Sequence, residues 1–316
     1  MPLPQTIGVM ICTARRPNML RRCIDSILAQ KLPEGWALEI CVVENDAEPQ
    51  SQDVARVSDE LGIFPVHYYQ EPRRGIPIAR NRTLKAGIER GYGWIALIDD
   101  DEVARPDWLA KLIEAAERHQ ADVVSGPVVR NYEQMPPDWW KTLKPAATEE
   151  GTVLDEAPTN NTLLRATLIR PDASALTFDE RLTFGYEDID FFRRAHAKGH
   201  RIVWMPDAIV EEEIPASRVE PERLIARIQM QATSLTYATI LRHGFGKAFA
   251  RFAPKAARRI LSGALMILIG RLMGLFSKNK GRKTYYRARL KLARGIGNMR
   301  GLFRSFSDYY NRIDGN

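Results

Sequence analysis

Four consecutive carboxylates, Asp99, Asp100, Asp101 and Glu102, end the stretch LIDDDE. At an effective dielectric near 20, two unit charges about 5 Å apart repel by roughly 3 kcal/mol, and a run of neighbours incurs this repeatedly unless water or a cation offsets it. The residues before them, Gly93-Trp94-Ile95-Ala96-Leu97-Ile98, read as a fully buried strand. A core strand that empties into acids puts them at the carboxyl edge of a sheet, where open α/β folds bind ligands. Oxygen donors suit Mg2+ or Mn2+, and Mg2+ usually takes one or two carboxylates plus phosphate oxygens. The chemistry implied is a divalent cation that carries a diphosphate. The plainer alternative is a solvated turn ahead of a helix starting near Pro106 and Asp107.

Three further stretches have suitable residues. In Thr13-Ala14-Arg15-Arg16-Pro17, after the opening strand, the arginines are candidates for meeting phosphate. Glu44-Asn45-Asp46 is a second strand ending in acids, able to accept from a base or ribose. Gly75-Ile76-Pro77-Ile78-Ala79-Arg80-Asn81 combines a glycine for close backbone approach with an arginine whose fork matches phosphate. Neither GxGxxG nor GxxxxGK[ST] occurs, so a Rossmann dinucleotide site and a P-loop have no local support. Finally, Phe184-Gly185-Tyr186-Glu187-Asp188-Ile189-Asp190 opens a helix with adjacent acids. Such acids suit the helix dipole, and crowding also raises their pKa values as a general base requires.

The elements that must position these residues alternate. Strands are predicted at 7–13, 38–44, 66–69, 94–98 and 121–129, and helices at 18–30, 51–62, 77–90 and 107–119. This implies an α/β fold with a mostly parallel sheet flanked by helices. Residues 131–162, with Pro136, Pro137, Trp139 and Trp140, read as a long loop over the site. A strand at 163–169, a helix at 187–198, a short strand at 201–204 and an amphipathic helix from 220 to about 241 follow. The chain thus divides into 1–219, carrying the site, and a helical, basic extension, 220–316.

Of 316 residues, 45% are apolar and 27% charged, as in an ordinary globular protein. The net charge of +7 is uneven: residues 251–316 hold 16 Lys and Arg against 2 acids, whereas residues 1–250 are mildly acidic. Within this tail, residues 260–276 read ILSGALMILIGRLMGLF between basic flanks. Seventeen residues with a central arginine fall short of a bilayer span. They suit an interfacial helix beside anionic lipid, with a buried helix as the alternative. No nucleic-acid-reading motif accompanies the charge. Cys12, Cys23 and Cys41 form no CxxC pair and read as reduced core residues of a cytoplasmic protein.

Taken in order, IGVMICTARRP, CVVENDAE, GIPIARN, LIDDDE and GYEDIDFFRRAHAKG resemble the motifs of the family 2 glycosyltransferases, inverting GT-A enzymes that use nucleotide sugars. The likeness covers about residues 5–215 and is nearest to the succinoglycan-type exopolysaccharide glucosyltransferases. It implies that Thr13, Arg15, Glu44, Arg80, Asp99 and Asp100 bind the nucleotide sugar, with Glu44 at a uracil-like base and Arg80 at the diphosphate. It also implies that Asp101 holds Mg2+ or Mn2+ and that Asp188, with Glu187 beside it, is the catalytic base. Many members have a histidine after the last strand, where this chain has Glu211, a candidate further metal ligand. Hexose transfer to a polyprenyl-diphosphate-linked or polysaccharide acceptor at the cytoplasmic face of the inner membrane is the implied function. A nucleotidyltransferase and a non-catalytic membrane-surface scaffold are the alternatives; the sugar, the linkage and the oligomeric state are not legible.

Overall fold

The computed structural model describes residues 5–141 and 149–305. Its first four strands are β1 (Gln5–Thr13), β2 (Trp36–Glu44), β3 (Val66–Gln70) and β4 (Trp94–Asp99), separated by α1 (Pro17–Leu28), α2 (Gln52–Asp59) and α3 (Ile76–Glu89). Residues 7–11 of β1 and 94–98 of β4 are wholly buried, as uninterrupted apolar runs demand of central strands. α1 starts with Pro17 in its first turn and buries Leu20, Cys23, Ile24 and Ile27 against the sheet. β5 (Glu102–Ala104), α4 (Trp108–Arg118), β6 (Val123–Ser125), β7 (Val128–Tyr132), β8 (Val153–Leu154) and β9 (Asn161–Arg165) come next. After them are α5 (Glu187–Ala197), β10 (Ile202–Trp204), β11 (Val210–Ile214), α6 (Pro221–His243), α7 (Phe245–Phe276) and α8 (Lys278–Leu302).

The large sheet has the order β3-β2-β1-β4-β9-β6-β10-β8, with β1 to β4 mutually parallel and β9 antiparallel to both neighbours. Strand order reverses between β1 and β4, so a crevice opens beyond their carboxyl ends. This is the expected α/β, GT-A type architecture. A second sheet, β5-β11-β7, lies at that end of the molecule and was not anticipated. It forms because the segment expected as one strand over 121–129 breaks at Gly126-Pro127 into β6 and β7, which join different sheets. A Cβ at position 126 would lie 2.2 Å from the Ala208 carbonyl, and proline cannot continue the ladder.

The basic extension differs from expectation in one respect. The helix there is α7, 32 residues rather than 17, and by length and composition it could cross a membrane. α8 returns along it, and glycines set the separation: a Cβ at Gly263 would lie 3.0 Å from the Leu292 nitrogen, and one at Gly270 2.7 Å from that of Tyr285. α6 ties this hairpin to the sheet domain. Ser234 Oγ donates to the Phe184 carbonyl at 2.6 Å, and Arg242 pairs with Asp179 at 3.0 Å and with Asp190. Trp139, from the loop expected over the site, stacks on Tyr286 of α8 with ring centres 4.6 Å apart.

Candidate active site

The carboxyl ends of β1 and β4 bring three of the sequence motifs together. Cys12 of β1 stands opposite Asp99, and Thr13 opposite Glu44 of β2. Asp100 turns inward and is 5% exposed; Thr13 Oγ1 donates to it at 2.7 Å and Arg16 Nη1 at 3.2 Å. Asp101 is held by Arg218 Nη2 at 2.9 Å and Arg16 Nη1 at 3.5 Å. Arg218 also reaches Glu212 at 3.1 Å, which pairs with Arg130 at the same distance. Beneath them Glu102 accepts from the Asp99 amide at 3.1 Å and from Asn160 at 3.0 Å.

Arg80 joins this acidic turn to the Glu187-Asp188 pair. Its guanidinium donates to Glu187 and lies 3.6 Å from Asp99, with the ring of Phe178 5.9 Å away. α5 starts here because Gly185 and Tyr186 both adopt left-handed backbone, at φ 96° and 78°. For a tyrosine that conformation is costly, the kind of strain found where a chain aims a functional segment. Glu187 is buried, and its Oε2 has no hydrogen-bond partner among the described residues. Asp188 is half-buried and accepts the Ile189 amide at 2.7 Å. Asp188 therefore remains partly open to solvent.

The electrostatics follow from this crowding. Desolvation lifts Asp99, half-exposed at the end of β4, to about 6; Arg80 opposes it, while Asp101, Glu212 and Asp188 add to it. Burial lifts Asp100 to about 7 against the pull of Arg16, and Asp101 raises it further. Glu187 rises to about 7 for the same first reason, opposed by Arg80 and reinforced by Asp188. A single carboxylate, Asp99, thus feels the charges of both Asp101 and Asp188.

Three sequence expectations change. Glu44 is wholly buried and accepts from the Gln50 and Ser51 amides, the Ser51 hydroxyl and Tyr68 Oη, so it closes a turn and does not present itself to a base. Glu211 points away from Asp101: Arg105 and Asn131 hold it at 3.1 Å. Side chains alternate along a strand, so Glu212 faces the cluster instead. Arg80 is committed to carboxylates, with only 11% of its side chain exposed. Arg15 lies at the rim, 2.6 Å from Asp46.

Sequence reading took Arg16 only as one of the TARRP arginines able to meet phosphate, and overlooked Glu212 and Arg218. Period-2 alternation within the Glu211–Glu213 run separates the middle residue from its neighbours. Arg218, in a short turn 117 residues from Asp101, has no local signal. Among the described residues no three His, Cys, Asp or Glu side chains form a ready metal cluster. The donor chemistry nevertheless fits Mg2+ or Mn2+: Asp101 and Asp99 would offer hard oxygen donors, and such cations need few protein ligands when phosphates supply the rest.

The sequence model described as Glycosyl transferase family 2 matches residues 8–180. The succinoglycan biosynthesis protein ExoM of Rhizobium meliloti (strain 1021) is 34% identical over 216 residues, covering 67% of this chain and 68% of that protein. The glucosyl-dolichyl phosphate glucuronosyltransferase of Haloferax volcanii is 32% identical over 139 residues, 42% of this chain and 39% of that protein. Among solved structures, the mannosyltransferase PcManGT from Pyrobaculum calidifontis, in complex with GDP-Man and Mn2+, superposes with a TM-score of 0.60. It shares 17% identity, and the match covers 94% of this chain and 87% of that one, so the fold is common to both. With a family model spanning more than half its length and a relative alike over two thirds of both chains, this chain belongs to the family 2 glycosyltransferases.

Proposed function

We propose that the chain transfers a hexose, with inversion, from a uridine-type nucleoside diphosphate sugar to a lipid-linked or polysaccharide acceptor in exopolysaccharide biosynthesis. The observation that carries this reading is Arg80, which links Asp99 to Glu187 and so draws the segment of the half-open Asp188 to the acidic turn that carries Asp101. Asp188 removes the proton of the acceptor hydroxyl. That oxygen forms the new bond to the anomeric carbon while the bond to the diphosphate oxygen breaks on the opposite face, its electron pair leaving with the nucleotide. Arg16 and Arg218, already beside Asp101, supply positive charge where the leaving diphosphate gathers negative charge. A divalent cation bound at Asp101 with Asp99 supplies further neutralisation of that charge. Glu187 and Arg80 hold the two acidic segments in register.

Support for the acceptor's setting comes from α7. Leu261, Leu265, Leu268 and Leu272 are each more than half exposed and recur at helical spacing along one face, ending at Leu275 and Phe276. Lys278, Lys280 and Arg282 follow at the tip. A full crossing of α7 would carry the charges of α8 into hydrocarbon, so an interfacial position at the cytoplasmic face of the inner membrane is favoured. Incubation with a panel of nucleotide sugars, following the release of nucleoside diphosphate, tests the transferase reading. Release from at least one donor, dependent on Mg2+ or Mn2+, is expected. Calorimetry with UDP and Mn2+ that gives no metal-dependent binding favours a scaffold instead.

A further inference from the structure

Folded proteins leave few buried polar side-chain atoms without a hydrogen-bond partner, so each exception calls for a reason. Among the described residues there are three: Thr159 Oγ1, Asn160 Oδ1 and Glu187 Oε2. All three stand at one edge of the large sheet. β9 begins at Asn161, opposite Ile98 of β4, so Asn160 and Thr159 lie just beyond the strand end that carries Asp99. Asn160 Nδ2 donates to Glu102 at 3.0 Å, Glu102 accepts the Asp99 amide, and Arg80 joins Asp99 to Glu187. Asn161, the next residue and of the same type, is fully bonded: it accepts from Trp108 Nε1 at 2.7 Å and donates to the Pro127 and Ala208 carbonyls at 2.9 and 2.7 Å. Packing at this edge can therefore satisfy an asparagine, and it leaves the one beside the acidic turn incomplete.

The chemistry of these atoms selects their partner. Because Nδ2 of Asn160 is committed to Glu102, its Oδ1 can only accept, and the missing partner must be a donor. Phosphate and carboxylate oxygens bring no proton, and the buried Glu102 and Glu187 repel them. A neutral group rich in hydroxyls remains. Asn160 is tied through Glu102 to the turn of Asp101, where the donor's diphosphate is placed, whereas the acceptor hydroxyl belongs at Asp188. We infer that Thr159 and Asn160 are specificity-determining residues that bind two neighbouring hydroxyls of the donor sugar, Asn160 Oδ1 accepting from one and Thr159 Oγ1 bonding the other. Both atoms are covered, and they lie on irregular backbone between β8 and β9, which lets the pair turn toward an arriving sugar. A donor that lacks either hydroxyl leaves a buried polar atom unpartnered and is rejected. The inference rests on the transferase reading and names the residues that read the sugar within it.

Turnover of UDP-glucose, UDP-galactose and monodeoxy analogues of each, followed as UDP release by the full chain with Mn2+, tests this. The parent should use at least one monodeoxy analogue of its preferred hexose about tenfold less efficiently or worse, as a site built to bond a hydroxyl does. Thr159→Val exchanges the unpartnered hydroxyl for a methyl of the same shape. It should erase most of one such preference with UDP affinity unchanged, and its melting temperature should equal or exceed the parent's, because a buried unpaired hydroxyl is gone. Thr159→Ser should keep the preference, and Asn160→Ala should erase the preference at the adjacent hydroxyl. A parent indifferent to the missing hydroxyls overturns the inference, as does a Thr159→Val variant whose kcat/KM falls by one factor on every donor. A lower melting temperature in Thr159→Val with every preference kept means that buried water completes the bonding, and the inference fails. UDP release by the parent separates the failures: release without the expected discrimination refutes the sugar-reading pair alone, whereas release from neither hexose refutes the transferase reading and the inference with it.

Discussion

At the scale of single residues, Asp188 and Glu187 are neighbours with opposite surroundings. Asp188 is half open, while Glu187 is buried against Arg80. Asp188→Asn is therefore expected to lower turnover by about a hundredfold or more while UDP affinity stays nearly unchanged, and survival of turnover within about tenfold would exclude it as the base. Arg80→Met leaves two carboxylates without their shared cation, which should cost about 3 kcal/mol or more in a denaturant titration. Glu187 gives a pH signature. Its carboxyl titrates near 7 in the fold against an ordinary 4.5, so between those values the folded protein keeps a proton that the unfolded chain releases. Its contribution to stability is thus full below about 4.5 and is lost as pH rises through about 7. Melting temperatures across this window should fall less steeply in Glu187→Gln than in the parent.

At the scale of elements, Asn45 pins the loop before α3 at three points. Asn45, at the end of β2, donates to the Glu71 and Arg73 carbonyls at 3.0 and 2.7 Å and accepts the Gly75 amide at 2.9 Å. Gly75 has φ 146°, which side-chain-bearing residues rarely adopt. Gly75→Ala should destabilise the protein by about 1–3 kcal/mol and, because α3 carries Arg80, reduce turnover along with it. Thermal melts and donor turnover on one preparation check this; turnover lost at unchanged stability would mean that the loop touches substrate directly.

At the scale of the whole molecule, the helical extension is less separable than its composition implies. Gly297 and Gly301 of α8 sit against the Gln229 and Thr233 carbonyls of α6, and Trp139 rests on Tyr286. A cut near residue 250, the natural truncation from sequence, removes these supports and should lower the melting temperature as well as release the chain from membranes. Leu268→Asp/Leu272→Asp isolates the second effect, because both residues are more than half exposed. That variant should lose most of its partition to vesicles containing anionic lipid at unchanged stability. Unchanged partition in a sedimentation assay would assign the apolar face of α7 to another contact.

The order of motifs, the alternation of strand and helix, and the acids at the strand ends could all be read from sequence because each depends on local periodicity and residue type. Asp99 to Asp101 and Glu187-Asp188 were found in this way, and so was the uneven charge of the tail. Sequence could not show that Glu44 is closed off by Tyr68 and Ser51, or that Glu212 rather than Glu211 faces Asp101. It also could not show that Arg218 meets Asp101 across 117 residues. Those outcomes depend on register between strands and on which cation reaches which acid, and both are set by packing between distant segments.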